Sequence, residues 1–329
     1  MLLRAAFLLL TAFSCFAETR WLSPNDSPLE LRGLPWYQEN GAADLYRMPS
    51  RIKDAIPPAV WNLSRSPSGA RIRFKTDSPS IRIRAEYPGP PSMKNMHAFG
   101  QSGIDLYLDG TYWGTVTPDE KVNIKQPGES DILLLPNAPA KMREVTLYLP
   151  LYQPVKLHAI GIDSNAKLER AAPFATPKPI VFYGTSITQG GCASRPGMSY
   201  QAILGRKLNL DHVNLGFSGN GKGEPAVAKA VAEIDAAMFV LDFAQNNRVV
   251  DSLREVYEPF LNTLRDKHSN VPILVITPIS SSKEAWGGDA GPRLDAMREL
   301  IRSVAGKRIA AGDRNIQIVE GTDLLGPDR

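Results

Sequence analysis

Ile180-Val181-Phe182-Tyr183-Gly184-Thr185-Ser186-Ile187-Thr188-Gln189-Gly190-Gly191 is the stretch that decides the fold. Four consecutive apolar residues, closed by a glycine, read as a strand buried on both faces, the pattern of a parallel sheet. The flanking glycines permit a tight strand-to-loop turn that exposes the Ser186 hydroxyl at the sheet edge. The pattern then repeats. Helical periodicity runs over 199–208, 224–233, 252–268 and 292–305, and short apolar strands run over 213–215, 237–241, 273–277 and 316–319. Five buried strands alternating with four helices predict an α/β unit over 180–329, a flavodoxin-like three-layer sandwich around a five-stranded parallel sheet. Chemistry in such sheets collects at the carboxyl ends of the strands.

Upstream, residues 18–164 read as an all-β sandwich or jelly roll. Arg71-Ile72-Arg73-Phe74-Lys75 and Ile81-Arg82-Ile83-Arg84 alternate apolar and basic residues with a turn cluster at 76–80 between them. Each strand has one buried and one charged face. Five basic side chains on the outside fit a surface for an acidic polymer, although a solvated sheet face carries more weight. Further strands run over 104–108, 112–116, 131–135, 144–149 and 155–162, with a tight Asp109-Gly110 turn between the first two. No helical period interrupts this half. Residues 165–179, with three prolines and four alanines, read as a linker.

The 329 residues are 43% apolar and 22% charged, an ordinary globular balance that excludes long disorder. The net charge of +4 is not gathered into any basic block, which argues against nucleic-acid binding. Cys15 and Cys192 are the only cysteines, and the four histidines at 97, 158, 212 and 268 lack ligand spacing, so neither a disulfide framework nor a metal site is predicted. No organic cofactor is implied either. Residues 1–17 carry one positive charge, an apolar run and a small-residue cleavage site, which read as a cleavable signal peptide and a secreted or periplasmic product. The apolar run is too short to span a membrane. Lipid attachment at Cys15 is the weaker reading, because Ala12-Phe13-Ser14 fits that signal poorly.

Three loops follow successive strands: Gly184-Thr185-Ser186, Gly216-Phe217-Ser218-Gly219-Asn220-Gly221, and Asp242-Phe243-Ala244-Gln245-Asn246-Asn247. The first exposes a hydroxyl, the second frees backbone amides, and the third offers side-chain amides to a developing anion. Taken singly, each fits an ordinary turn or cap at least as well.

Their order resembles that of the SGNH, or GDSL-like, hydrolases. The resemblance implies Ser186 as nucleophile, Gly219 as a backbone oxyanion donor and Asn246, with Asn247 as fallback, as the side-chain donor. Gly-Thr-Ser in place of Gly-Asp-Ser, and Gln-Asn-Asn in place of Gly-x-Asn-Asp, resemble the branch of secreted esterases acting on acylated carbohydrate. Gly103-Ile104-Asp105-Leu106-Tyr107 matches the G-x-D-L-Y motif of the jelly roll that precedes such domains. Asp105 and Tyr107 are given a structural role, and Arg195, in the loop after the nucleophile, a surface one. The family draws its base and orienting carboxylate from an Asp-x-x-His segment after the fifth strand. No histidine follows His268, so that segment is expected beyond Arg329, and the chain as it stands is expected to lack its base. The expected activity is removal of acyl groups, acetyl foremost, from carbohydrate. The rivals are a catalytically dead carbohydrate-binding protein and a hydrolase of lipid or thioester substrates.

Overall fold

The computed structural model describes residues 18–117 and 130–325; the expected signal peptide lies outside them. Ten strands build the β unit: β1 (Thr19–Leu22), β2 (Glu30–Arg32), β3 (Arg71–Thr76), β4 (Ile81–Glu86), β5 (Ile104–Leu108), β6 (Thr111–Val116), β7 (Ser130–Leu135), β8 (Arg143–Tyr148), β9 (Lys156–Asp163) and β10 (Leu168–Glu169). They form two antiparallel sheets, β1-β9-β4-β7 and β10-β3-β8-β5-β6, with β2 added beside β3. Ile72, Phe74, Ile104, Leu106 and Leu147 of one sheet meet Ile81, Ile83, Ile160 and Ile162 of the other in one dry core. The jelly-roll expectation therefore holds. Asp109 and Gly110 both take positive φ, 49° and 77°, as the tight turn between β5 and β6 requires.

Two details differ from the sequence expectation. β3 and β4 lie in opposite sheets, so residues 77–80 cross between layers; both apolar faces point into the same core from opposite sides. Their charged faces differ as well. Arg82 is half-buried and pairs with Asp131 at 2.7 Å, whereas Arg71 and Arg73 are only 2% and 6% exposed: Arg71 is bonded to Asp211 and His212 of the α/β unit, and Arg73 to the Ala172 carbonyl and the Phe174 ring of the linker. The first half also contains helices, α1 (Pro58–Ser64) and α2 (Ala98–Ser102), and a 3-10 turn at Ser50–Ala55. Trp36, Met48, Ile56 and Val60 are buried with Val213, Leu215, Val227 and Val231 in the core of the second unit. Part of the segment preceding β3 thus completes the α/β core. The linker is not wholly irregular, since its β10 pairs with β3.

The α/β unit comprises β11 (Ile180–Gly184), α3 (Ser186–Gln189), α4 (Tyr200–Leu208), β12 (His212–Gly216), α5 (Pro225–Ala232), β13 (Met238–Asp242), α6 (Val250–Lys267), β14 (Ile273–Ile276), α7 (Ser282–Ala285), α8 (Ala290–Ala310) and β15 (Ile316–Val319). The sheet order β12-β11-β13-β14-β15, parallel throughout, is the flavodoxin-like order. Helices α5, α6 and α8 cover the face carrying Val181, Tyr183, Phe239, Leu241 and Val275. Tyr200 of α4 packs on the other face, against Phe182, Val240 and Ile276, while Ile180, Met238, Leu274 and Val319 stay half-buried there. Among the described residues no helix is long and apolar enough to cross a membrane. The strand order reverses direction at β11, which puts the switch point, where ligands collect in such sheets, beside Ser186.

Candidate active site

Ser186 opens α3 directly after β11, and the Thr185 hydroxyl caps the turn by accepting the Ile187 amide at 3.4 Å. Gly184 is dictated by crowding: a Cβ there would stand 2.1 Å from Thr188 Oγ1 and 2.7 Å from the Asp242 carbonyl. The chain then folds back, so that the amides of Gly190 and Gly191 donate to the Ser186 carbonyl at 3.1 and 2.6 Å. Gly190 takes φ 100°, a conformation that favours glycine. Ser186 is left half-buried, and its hydroxyl makes no hydrogen bond among the described residues.

The second loop is held against α3 by buried amides. Asn214 accepts the Gly216 amide at 2.9 Å and donates to the Thr188 carbonyl at 2.6 Å; Gln189 accepts the Ser218 amide at 2.9 Å. Arg47, buried without a carboxylate, spends its guanidinium on the carbonyls of Ser66, Leu63, Asn214 and Gly216 and lies over the Phe217 ring. Burial lowers its pKa to about 9. These bonds leave Gly219 exposed at φ 65°, with an amide that meets no acceptor among the described residues.

Asn246 ends the 3-10 turn Ala244–Asn246, and its amide donates to the carbonyls of Phe217, at 3.0 Å, and Asn220. The third loop is thereby tied to the second. Ser186 and Asn246 line one cavity of about 450 Å³, with Ile279, Lys283, Arg293 and Leu294 opposite; Gly219 lies outside its lining. Asn247, the fallback donor, is buried and directed to the Lys222 carbonyl at 3.4 Å. Gln245 also lines the cavity, and both atoms of its side-chain amide are buried without a partner. Gln245 is the first residue of the Gln-Asn-Asn block, yet the sequence assigned it no role.

Asp242 closes β13 beside Gly184. Burial raises its carboxyl to about 7, against the lowering effect of Thr188, whose hydroxyl donates at 3.4 Å. The β unit meets the loop that follows α3 through the G-x-D-L-Y strand. Asp105, fully buried, accepts from Arg195 Nη1 at 3.0 Å, the Gly197 amide at 2.7 Å and the Thr115 hydroxyl at 2.7 Å. Its pKa is raised by burial in spite of these three donors. Tyr107 accepts a second bond from Arg195 at 2.5 Å, and a Cβ on Gly197 would meet the Tyr107 hydroxyl at 2.5 Å. Arg195 is accordingly a clasp between the two units rather than a free surface residue.

The histidines lie elsewhere. His97 caps α2, His158 faces Glu86 at 3.3 Å, His212 opens β12 at the opposite sheet edge, and His268 follows α6, bonded to the Ala232 carbonyl at 2.8 Å. Among the described residues no three His, Cys, Asp or Glu side chains gather as a metal site would require.

The family profile described as GDSL-like lipase/acylhydrolase matches residues 177–329, and that for the N-terminus of SGNH-hydrolase-type esterases, GxDLY, matches residues 19–168. A structure assigned as a GDSL-like lipase from Bacteroides ovatus shares 30% identity and a TM-score of 0.82, over 94% of this chain and 89% of that one. A salicylyl-acyltransferase from a tetracycline biosynthetic pathway shares the fold at 23% identity and TM-score 0.77, over 94% and 87% of the two chains. A family two carbohydrate esterase from Clostridium thermocellum, solved with cellohexaose, shares it at 16% and 0.59, over 77% and 82%. No curated protein matches in sequence.

Proposed function

The chain belongs to the GDSL-like lipase/acylhydrolase family of ester hydrolases, and from that premise we propose that it is a secreted esterase releasing acyl groups, acetyl foremost, from carbohydrate. One observation carries the reading: the Ser186 hydroxyl, free of protein partners, opens onto the same cavity as the unpartnered amide of Gln245 and the side chain of Asn246.

In this reading Ser186 Oγ attacks the ester carbonyl carbon, and the carbonyl π electrons move to oxygen. Gly219 and Asn246 serve as oxyanion donors, as the family resemblance implies. The Asn246 amide already holds the loop carbonyls of Phe217, Asn220 and Gly221, so Gln245 Nε2 is assigned as a further donor. A buried amide without a partner gains a full hydrogen bond when the oxyanion forms. Collapse expels the sugar hydroxyl, and water then releases the acid from the acyl-enzyme. The hydroxyl needs a base to take its proton. In this family that role falls to an Asp-x-x-His segment following the fifth strand, the position after β15.

The cavity supports a sugar ester. Its walls carry Lys283, Arg293 and Ser281, and Trp286, 78% exposed, follows the lining residue Lys283 by three positions in sequence and precedes the lining residue Ala290 by four. An exposed indole offers a flat apolar face to the C–H face of a sugar ring. The charged n-region and apolar run of residues 1–17 support export.

The test is acetate release from acetylated polysaccharide by the natural gene product, with Ser186→Ala beside it. The substitution is expected to lower the rate at least about 10³-fold. Undiminished release by the variant would sink the assignment.

A further inference from the structure

A second cavity, of about 110 Å³, lies where the two units meet, between β3, β5 and β8 on one side and α4 and β12 on the other. Its walls include Arg73, Tyr107, Tyr148, Phe174, Arg206 and His212. Four side-chain atoms of these lining residues are buried without a hydrogen-bond partner among the described residues: Nη1 of Arg73, Nη1 of Arg206, and both ring nitrogens of His212, a residue only 2% exposed. Buried polar groups in native proteins are nearly always satisfied, so four on the residues around one cavity point to an occupant that the side chains close upon.

The charges say which kind. Among the described residues Arg206 has no carboxylate within ion-pair distance; its guanidinium lies over the rings of Tyr107 and Tyr148 at 4.3 and 5.4 Å. Arg73 lies over Phe174, with Glu144 and Glu30 only at 3.9 and 4.0 Å. Glu30 also serves Arg32 and Arg170, and Asp211 serves Arg71 and Arg32. Four guanidiniums, of Arg32, Arg71, Arg73 and Arg170, therefore share three carboxylates around this cavity, with none left over for Arg206. The excess is cationic and directional. An apolar ligand or a metal ion fits none of it, whereas an oxyanion accepts from the guanidinium forks and from one imidazole N–H together.

We propose that this interdomain cavity is a binding site for a small oxyanion, inorganic phosphate or the carboxylate of an acidic sugar, held by Arg73, Arg206 and His212. Bound there, the anion ties β3 and β8 of one unit to α4 and β12 of the other. The site is separate from the esterase cavity: His212 opens β12, whereas Ser186 lies beyond the opposite strand ends, roughly 15 Å of strand away. It stands whether or not Ser186 acts as proposed.

Isothermal titration and thermal melting of the natural gene product with sodium phosphate, sodium glucuronate and, at matched ionic strength, sodium chloride provide the test. A saturable heat and a rise in melting temperature are expected with phosphate or glucuronate and not with chloride. Phosphate acting alone identifies the phosphate form; glucuronate acting alone identifies the acidic-sugar form. Arg206→Gln is expected to weaken binding about tenfold or more. Arg254→Gln, on the exposed face of α6, should leave it unchanged. Should Arg206→Gln misfold, Arg206→Lys keeps the charge without the fork and is expected to fall between. Titration of the wild-type protein adds a direct readout, a shift of the His212 ring resonances on anion addition. No saturable effect from either anion, or full binding by a folded Arg206→Gln protein, overturns the proposal.

Discussion

Asp242→Asn isolates a carboxyl group that the fold holds at a cost. The side chain is 6% exposed; its only hydrogen bond comes from Thr188, and its Oδ1 has none. The side chains felt by this carboxyl include the phenols of Tyr200 and Tyr257, whose own pKa values are raised first by burial and then by Asp242. Burial lifts the carboxyl from 3.8 to about 7. The folded state therefore keeps a proton that the unfolded chain releases between those values, and stability contributed here falls as pH rises through that window. At about 1.4 kcal/mol per unit, the shift corresponds to at most about 4 kcal/mol, fully expressed above pH 7 and absent below pH 3.8. Asparagine mimics the neutral acid in shape and cannot ionise. Urea unfolding of both proteins from pH 4 to 8 should give similar stabilities at the acid end. At pH 8 the variant should be more stable by about 2–4 kcal/mol. A difference that stays flat across the range would refute a buried, strained carboxylate at this position.

Three further outcomes follow from named contacts. Gln245→Ala should lower kcat on a soluble acetyl ester by about 10²-fold with little change in KM, the pattern of an oxyanion donor; a change in KM alone would assign it to ground-state binding. Trp286→Ala should raise KM for an acetylated polysaccharide about 3- to 10-fold while leaving hydrolysis of a small aryl acetate unaltered. Asp105→Ala strands Arg195, the Gly197 amide and the Thr115 hydroxyl together, and should cost about 3–5 kcal/mol in denaturant unfolding; Asp105→Asn should cost less.

Much of the α/β unit was legible because a buried parallel strand needs an uninterrupted apolar run. Such runs at 180–183, 237–241 and 273–277 coincide closely with β11, β13 and β14. The loops after β11, β12 and β13 were legible for a related reason. Close approach forces glycine at Gly184 and at Gly216, where a Cβ would come within 2.1 Å of the Gln189 amide nitrogen. The short α3, with four residues, was not legible, because its turn is held by Asn214, Gln189 and Thr185 rather than by any helical period.

The sequence by itself determined the two-unit order, the five parallel strands and the family motifs, since each is written in local patterns of burial and turn chemistry. Only the tertiary structure decided what lies against those patterns. Alternation in β3 and β4 shows that one face of each is dry, and it is silent on what packs against the other. The α/β unit buries Arg71, the linker covers Arg73, and Asp131 pairs with Arg82 in the opposite sheet. Trp36, Met48, Ile56 and Val60 look like any scattered apolar residues until the second unit closes over them. Gln245 likewise becomes conspicuous only when its amide is found buried and unpaired beside Ser186. Periodicity records whether a side chain leaves water; which partner it meets depends on contacts between segments far apart in the chain, and those exist only in the folded molecule.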